Sequence, residues 1–424
     1  MSSKANFPAP AAGDEVLVVG AGVIGLSAAL RLLRDGRSVR VIDRSGPGAG
    51  ASHGNCGTIT PSHAPPLALP GTPWRALKWM LKSDAPLYVK PRFDPALAAW
   101  MHRFLRRCNA RDAAEATRQR AAILADARQR LEALIDDERL DCQFRASGSW
   151  YVFRDAAEFE HEQQLAAPLR ELGIESRLID PGDALRLEPS LREGIVGVIE
   201  FPGDAQLRPD RLVAELARRV IELGGVVESG ADLRRVDASR QGVSVETSAG
   251  VRRADWLLLA TGAWSPALLR PLGIKLPMQP GKGYSITWSR PELAPQRPLV
   301  LAEASVCVTS WEDGFRLGST MEFSGFDTTL NRVRLDALKR GAADYLHQPT
   351  GGELREEWYG WRPMMADDLP VIGALPKHPR VLFAGGHGML GVSMSATTAQ
   401  LVADHIAARE PCMEASAFSP ARFA

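Results

Sequence analysis

The chain has 424 residues, of which 45% are hydrophobic and 24% charged, as expected for a globular protein long enough for two domains. Lysine and arginine total 51 against 50 acidic residues, so the charge balance does not favour nucleic acid or an anionic membrane as the main partner. No apolar run approaches the roughly 18 residues of a transmembrane helix. The first 13 residues lack the apolar core of a signal peptide, and we expect them to form a tail.

The start of the chain carries the strongest signal. An apolar run at residues 16–19 predicts a buried parallel strand, followed by a Gly-x-Gly-x-x-Gly pattern and an apolar-periodic helix to about residue 34. In a dinucleotide site, Gly20 permits the tight turn, Gly22 lets the backbone approach a pyrophosphate and Gly25 lets the helix pack on the sheet. Asp43, near the expected spacing of about 20 residues, is expected to accept hydrogen bonds from a ribose. The alternative is an ordinary strand–helix–strand unit.

A glycine-rich segment, residues 45–66, follows with almost no bulky apolar side chain. We expect this loop to run close to a ligand, where large side chains would obstruct. Ser52, Asn55 and Thr58 would supply hydrogen bonds there. The alternative is a plain surface loop.

Downstream patterns predict both helices and strands. Asp94 followed by Pro95 is typical of a helix N-terminus. Further helices are expected at about residues 112–136, 156–172, 211–223 and 332–345, with a last one ending near residue 408. Further strands are expected at residues 38–42, 148–153, 194–201, 225–227, 243–247, 255–260 and 380–384, and antiparallel strands between residues 275 and 318.

The interleaving of these pieces predicts two domains. One is an α/β, Rossmann-like domain made of residues 14–62, 203–272 and 356–424. The other is an inserted α+β domain, residues 63–202 and 273–355, with largely antiparallel strands.

Glycine-bearing turns follow a predicted strand three times: at the fingerprint above, at Thr261 and Gly262, and in the segment GGHGMLG. Ligands of open parallel sheets bind beyond the carboxyl ends of the strands, so all three turns are expected to meet at one large cofactor. Taken alone, the second turn is also consistent with a simple end of a strand.

Six segments, in order over nearly the whole chain, resemble one family of FAD enzymes: VVGAGVIGLSAALRL, VIDR, ASHGNCG, LLLATGAWS, YGWRPMMADDLPVIG and FAGGHGMLGVSMS. The family contains D-amino-acid oxidase, glycine oxidase and bacterial D-amino-acid dehydrogenase, and the last of these, with its hydroxyproline-acting branch, is the most similar. The resemblance implies non-covalent FAD, a doubly wound FAD-binding domain and a mixed, largely antiparallel sheet in the substrate domain. Cys56 raises the question of a covalent bond to the flavin, but family members with such a bond attach the flavin at other motif positions. It implies cofactor contacts from Gly20, Gly22, Val23, Ile24, Gly25, Asp43, Arg44, Ser52, Asn55, Gly57, Thr58, Val227, Thr261, Gly262, Trp264, Gly386, His387, Gly388, Met389, Gly391 and Val392.

Arg362 lies in an apolar segment between tryptophans, which is unusual for arginine. One interpretation is a structural salt bridge with Glu357, Asp367 or Asp368. The family resemblance favours a clamp for the substrate carboxylate, because the family carries such an arginine in the same Gly-x-Arg-Pro context. A guanidinium group suits this task because its parallel donors match a carboxylate.

Three further residues are weaker candidates. Tyr284 and His53 are expected to contact substrate, with cross-strand packing as the alternative for Tyr284. His387 lies in a segment that lines the flavin in the family. There we expect the backbone and the positive end of the last helix to act, rather than the imidazole; the alternative is a purely structural histidine.

The resemblance implies oxidative deamination or dehydrogenation of a D-amino acid, with D-proline and D-hydroxyproline among the candidates, by hydride transfer to flavin. The alternatives are a glycine- or sarcosine-type amine oxidase and a flavoprotein subunit of an electron-transfer complex. The extra glycine turns disfavour an NAD-dependent dehydrogenase. The electron acceptor would be a quinone or another carrier, with oxygen also considered.

Cysteine usage bears on location and metals. The five cysteines are scattered and show no metal-ligand spacing with the eight histidines. This pattern indicates reduced thiols in a cytoplasmic protein and no metal site. Peripheral attachment to the inner face of a membrane, or to other subunits, stays open at this point.

Overall fold

A computed structural model describes residues 15–74, 76, 85–239 and 242–423 of the chain. The predicted N-terminal tail lies outside the described residues. None of the helices in the described ranges is long and apolar enough to cross a membrane. The α-helices whose ends both lie in the described ranges are Val23–Arg34, Pro95–Arg107, Ala110–Glu138, Ala156–Ala166, Pro181–Leu187, Pro209–Glu222, Ser265–Leu269, Arg332–Tyr345 and Gly391–Ile406.

Local sequence sets the ends of several helices. The Asp94 carboxylate accepts a hydrogen bond from the Leu97 N–H at 2.9 Å, so this helix starts at the predicted N-cap. The helix predicted over residues 156–172 is α-helical only in its first part. It continues as the 3-10 turn Ala167–Leu172, because Pro168 has no N–H to donate to the preceding turn.

Six strands form a parallel sheet with one antiparallel edge strand. Across the sheet the order is Val371–Leu375, His378–Gly385, Trp256–Leu259, Glu15–Val19, Ser38–Asp43 and Val226–Ser229. The central strands are apolar because helices share their buried core, notably Val23–Arg34 and Gly391–Ile406. The predicted α/β arrangement is confirmed, and the three strands that end in glycine turns are adjacent.

Nine strands form a second, mixed sheet. Across it the order is Leu354–Met365, Met278–Ser289, Gly314–Phe323, Val306–Ser310, Leu299–Leu301, Ser149–Phe153, Gly197–Phe201 and Arg177–Ile179, and Leu87–Val89 pairs with Gly314–Phe323. Most neighbours are antiparallel, which confirms the predicted mixed, largely antiparallel sheet. One face, with Ile286 and Trp288, packs in a core with the helix Arg332–Tyr345. The opposite face is turned toward the six-stranded sheet.

The strand Leu354–Met365 was not predicted from the sequence, because glycine and proline weaken a strand assignment. It lies at the edge of its sheet, where Pro363 is tolerated opposite Pro280. The predicted domain boundary at residue 356 falls inside this strand, and the domain division stays a prediction. Two smaller sheets are Leu233–Ala238, Val243–Thr247 and Gly250–Ala254, and Thr58–Ile59 with Ala205–Gln206. Of their strands, only the one at residues 243–247 was predicted from the sequence.

Candidate active site

A cavity of about 910 Å³ lies between the two large sheets. The turns after the three adjacent parallel strands form one side of it, with Gly20, Thr261 and Gly388 among the lining residues. The nine-stranded sheet contributes the other side, including Trp361 and Arg362. The three glycine turns therefore share one cavity with the candidate carboxylate clamp.

Most of the site residues predicted from the sequence border this cavity. They are Gly20, Gly22, Val23, Ile24, Asp43, Arg44, Ser52, Asn55, Thr261, Gly262, Trp264, Tyr284, Arg362, His387, Gly388, Met389, Gly391 and Val392. Six lie outside the lining: Gly25, His53, Gly57, Thr58, Val227 and Gly386. Near Val227 the lining comes instead from residues 231–233.

The first glycine turn is shaped by close backbone approaches. Gly20 has a φ of +111°, and a Cβ there would collide with the Ala260 carbonyl at the end of the neighbouring strand. A Cβ on Gly25 would collide with the Gly20 carbonyl, so Gly25 serves the packing of helix on turn. At Gly22 the nearest group is the Ser52 hydroxyl, 3.3 Å from the position of a Cβ.

Asp43 holds the turn from the second strand. One of its oxygens accepts from the Ala21 N–H at 2.9 Å, and the other accepts from Ser45 and Gly46 at 2.8 and 3.0 Å. The carboxylate also borders the cavity. Asp43 is therefore fixed in position at the edge of the cavity, and its contact with a ribose stays a prediction.

These features fit the dinucleotide part of FAD. Because Gly20 and Gly22 have no side chains, the N-terminus of the helix Val23–Arg34 is accessible from the cavity. The Ser52 hydroxyl lies beside this N-terminus and accepts from the Val23 N–H at 3.1 Å. Helix N-termini with such small neighbours bind phosphate groups. The Arg44 guanidinium lies 3.8 Å from the centre of the Trp264 ring and so connects the end of the strand Ser38–Asp43 with the segment after the second glycine turn.

The loop of residues 52–57 is held by hydrogen bonds within the loop and by hydrogen bonds to the nine-stranded sheet. The Asn55 side chain accepts from the Gly57 N–H at 2.7 Å and donates to the Ser52 carbonyl at 3.0 Å. Arg316, in the nine-stranded sheet, donates to the Asn55 carbonyl at 2.7 Å and to the His53 carbonyl at 3.3 Å. Asn55 thus shapes the loop, and Arg316 holds it against the sheet.

Trp358 covers the same loop. A Cβ on Gly54, in the loop, or on Gly360, in the same strand as the tryptophan, would collide with its ring. The ring borders the cavity. The two glycines therefore let a large aromatic side chain stand between the loop and the sheet.

Arg362 projects from the same face of the sheet as Trp358, because the two residues are four positions apart in one strand. Its Nη1 donates to the Thr320 carbonyl at 2.6 Å. Burial lowers the pKa of the Arg362 guanidinium from its usual value. A half-buried cation that is partly removed from water is stabilised by a partner of opposite charge.

The structural salt bridge considered for Arg362 is absent among the described residues. Asp367 lies 3.6 Å from Arg422, and Glu357 lies 2.5 Å from Arg332. Asp368 pairs with Arg120. The acids near it in sequence are thus bonded to other arginines, which leaves Arg362 facing the cavity without a carboxylate from the described chain.

Tyr284 borders the cavity, but its side chain points into the core on the other face of the sheet. Strand residues alternate between faces, and Tyr284 shares the core face with Ile286, opposite Arg362. Its hydroxyl donates to Glu322 at 3.1 Å. This position corresponds to the packing alternative considered from the sequence.

His53 is also directed away from the cavity. Its Nε2 lies 2.8 Å from a Glu356 oxygen, and this hydrogen bond raises the pKa of His53. The structure therefore does not bring His53 together with Arg362.

His387 borders the cavity at the third glycine turn. Its Nε2 lies 2.9 Å from the Thr398 hydroxyl, in the helix that follows. Burial lowers the pKa of His387 to about 3, so the ring is neutral at ordinary pH. A neutral ring agrees with the expectation that the backbone and the helix N-terminus act here, not an imidazolium.

A helix that was not connected with the site from sequence covers part of the cavity. Ala96, Ala99, Trp100 and Arg103 line it from one face of the helix Pro95–Arg107, at the spacing of successive turns. The Trp100 indole N–H donates to the Met364 carbonyl at 2.9 Å, and Met364 is two residues after Arg362 in the same strand. The sequence predicted the start of this helix, but it did not indicate that the helix borders the cavity.

Similarity to known proteins agrees with this geometry. The family model described as DAO, FAD dependent oxidoreductase, matches residues 15–405. The chain belongs to this family of FAD-dependent oxidoreductases. It is 36% identical over 423 residues to a D-amino acid dehydrogenase of Methylobacterium nodulans, which covers 96% of this chain and 99% of that protein.

Solved structures show the same fold. Glycine oxidase from Geobacillus kaustophilus superposes with a TM-score of 0.78 at 22% identity, covering 95% of this chain and 97% of that chain. L-proline dehydrogenase from P. horikoshii superposes with a TM-score of 0.73 at 16% identity, covering 97% and 98% of the two chains. At these identities the likeness establishes the fold.

Proposed function

We propose that the protein is an FAD-dependent dehydrogenase that oxidises a D-amino acid at its Cα–N bond. Its membership of the FAD-dependent oxidoreductases and its likeness to a D-amino acid dehydrogenase over 96% of the chain support this function. The observation that carries the substrate class is Arg362, a half-buried guanidinium that borders the cavity and has no carboxylate partner among the described residues. D-proline and D-hydroxyproline are included among the candidate substrates.

Arg362 would bind the substrate carboxylate. One of its nitrogens is held by the Thr320 carbonyl at 2.6 Å, which fixes the plane of the guanidinium and leaves its other donors for the ligand. Bound FAD supplies the hydride acceptor. Trp358, on the same face of the sheet as Arg362, lines the same cavity and would exclude water around the reacting carbon. Orientation of the Cα–H is then the contribution of the protein, and no side-chain base is needed.

The chain's cofactor contacts are part of the same proposal. Asp43 would accept from the ribose, and Gly20, Gly22 and Ser52 would surround the pyrophosphate. The last glycine turn and the start of the helix Gly391–Ile406 would face the flavin, where a positive helix end stabilises negative charge.

A dehydrogenase of this kind requires an electron acceptor. We propose a quinone or another carrier in this role, with oxygen as the alternative. We also propose a cytoplasmic location, and we include peripheral attachment to the inner face of a membrane, or to partner subunits, as part of the hypothesis.

An anaerobic substrate screen tests the function. The purified yellow protein is mixed with D- and L-amino acids, including the prolines, and the flavin absorbance is followed. Bleaching by D-amino acids supports the proposal, whereas bleaching by L-amino acids or glycine alone contradicts the substrate assignment. No bleaching with any amino acid would indicate a non-catalytic flavoprotein subunit.

A second measurement separates the dehydrogenase from an amine oxidase such as the structurally similar glycine oxidase. Oxygen consumption and reduction of an artificial acceptor are measured side by side with the same substrate. We expect the artificial acceptor to be reduced much faster; equal or faster use of oxygen would favour the oxidase.

A further inference from the structure

Two cysteines that are far apart in sequence meet beside the cavity. Cys56 lies in the loop of residues 52–57 and borders the cavity, and Cys307 lies in the strand Val306–Ser310. Cys307 is directly paired with Gly318 in the antiparallel ladder. A Cβ on Gly318 would lie 2.5 Å from the Cys56 sulfur, so this sulfur rests on the sheet at Gly318.

The pairing places both sulfur atoms on one face. Directly paired residues of antiparallel strands point to the same side, with their side chains about 5 Å apart. The Cys307 side chain therefore stands on the side of the sheet where Cys56 touches Gly318. Both cysteines are free thiols, and the side chain of each influences the pKa of the other.

The surroundings make the two sulfurs chemically unequal. The hydrogen bond from Cys307 lowers the pKa of Cys56, and the nearby guanidinium groups of Arg316 and Arg362 lower it further. The same hydrogen bond, together with burial, raises the pKa of Cys307 well above its usual value. One sulfur is thus favoured as the thiolate nucleophile and the other as its proton donor.

The other three cysteines have no such arrangement. Burial raises the pKa of Cys108, Cys142 and Cys412. Thiols of that kind react slowly with oxidants, because the thiolate is the reactive form.

We propose that Cys56 and Cys307 form an oxidisable thiol pair, a modification site at which hydrogen peroxide creates a disulfide between the loop of residues 52–57 and the nine-stranded sheet. The Cys56 thiolate attacks one peroxide oxygen, the O–O bond breaks, and with a proton the products are a sulfenic acid and one water. The Cys307 sulfur then attacks the Cys56 sulfur and the sulfenic oxygen leaves as a second water. In total, two thiols lose two protons and two electrons, and one peroxide is reduced to two waters.

The bond would reinforce a contact that already exists. Arg316 holds the loop through the carbonyls of His53 and Asn55, so Cys56 needs little movement to reach Cys307. The disulfide closes a long segment of chain and restricts the unfolded state, which raises the melting temperature. This inference is independent of the substrate and of the electron acceptor.

Peptide mapping of the complete, FAD-loaded protein tests the proposal. After treatment with peroxide, the remaining thiols are alkylated under denaturing conditions and the protein is digested with trypsin. We expect a cross-linked pair of peptides, residues 45–75 joined to residues 283–316, and a fall in titratable thiols from five to three. A dithiol reductant should restore all five, and the oxidised protein should melt several degrees above the reduced protein.

Two variants test which cysteines form the cross-link. In Cys307→Ser we expect no cross-linked peptide and a sulfenic acid on Cys56 that dimedone traps, whereas the control Cys108→Ser keeps the cross-link. Five intact thiols in the treated natural protein, or a cross-link that involves another cysteine, would overturn the proposal. The mapping of the unaltered protein decides this even if a variant fails to fold.

Discussion

The guanidinium of Arg362 lies flat over Gly283 on the neighbouring strand, in the space that a Cβ at this position would occupy. This position lets Nη1 reach the Thr320 carbonyl one strand further on, at 2.6 Å. That carbonyl is available because Ser319 and Thr320 have positive φ values, 141° and 60°, and interrupt regular pairing. The direction of the proposed clamp is therefore set by three strands together.

Gly283→Ala should displace the clamp without removing it. The added methyl group collides with the guanidinium, so we expect KM for the amino acid to rise roughly tenfold, which corresponds to about 1.4 kcal/mol, while FAD stays bound. Steady-state kinetics and the flavin content measure the two effects. The control is Gly203→Ala, since a Cβ at Gly203 meets nothing within 4 Å. An unchanged KM would mean that Arg362 does not bind substrate in this position.

Arg362→Lys should stay folded and yellow but lose most turnover. Lysine keeps the charge and loses the parallel donors, and removal of a charged partner from a desolvated site costs about 2–5 kcal/mol. The rate of anaerobic flavin reduction measures the loss. The defect should shrink for amines without a carboxylate, and an equal loss for both substrate types would point to a structural role.

Asp43→Ala should weaken FAD binding. One charged hydrogen bond to the ribose is worth about 1.5–3 kcal/mol, so affinity should fall about ten- to a hundred-fold. The Asp43 carboxylate also accepts from the backbone N–H groups of three residues. Asp43→Asn is therefore the matched variant, because it keeps one oxygen acceptor, and we expect it to lose less FAD affinity than Asp43→Ala. Fluorescence titration of the apoprotein with FAD gives both constants. FAD binding as tight as in the parent would exclude the ribose contact.

Gly22→Val should yield protein depleted of FAD. Gly22 has a φ of −80°, so valine is not strained there, but its side chain would fill the approach of the pyrophosphate. Gly22→Ala is the smaller control, since its Cβ meets only the Ser52 hydroxyl at 3.3 Å. The ratio of flavin to protein absorbance after purification reports the result, and a fully loaded valine variant would rule out this placement.

Asp204 should make stability depend on pH. It accepts from the Ser62 and Ser149 hydroxyls, each at 2.6 Å, and burial raises its pKa from 3.8 to about 6. A raised native pKa favours the protonated form. This stabilisation is complete below about pH 4 and is lost as the pH rises through 6, in total roughly 3 kcal/mol.

The variant Asp204→Asn isolates this effect because its side chain stays neutral. Melting temperatures of both proteins are compared between pH 4 and pH 7. The parent should lose stability relative to the variant over this range, whereas parallel pH curves would contradict the prediction.

Local patterns were sufficient for much of the fold. The strand, glycines and helix at the start of the chain, and the helix Arg332–Tyr345, could be predicted because turn geometry, capping and apolar spacing act over a few residues. The strand Leu354–Met365 could not, because its glycine and proline are tolerated only at a sheet edge.

For the candidate site, the sequence by itself determined which side chains could carry chemistry: the glycine turns, Asp43 and Arg362. Only the tertiary structure decided which of them face each other. Strand register turns Tyr284 away from Arg362, and it brings Cys56 to Cys307 across the long stretch of chain between them. The physical reason is that a side chain's face and its neighbours depend on pairing between distant strands, and a shift of one residue would reverse every face.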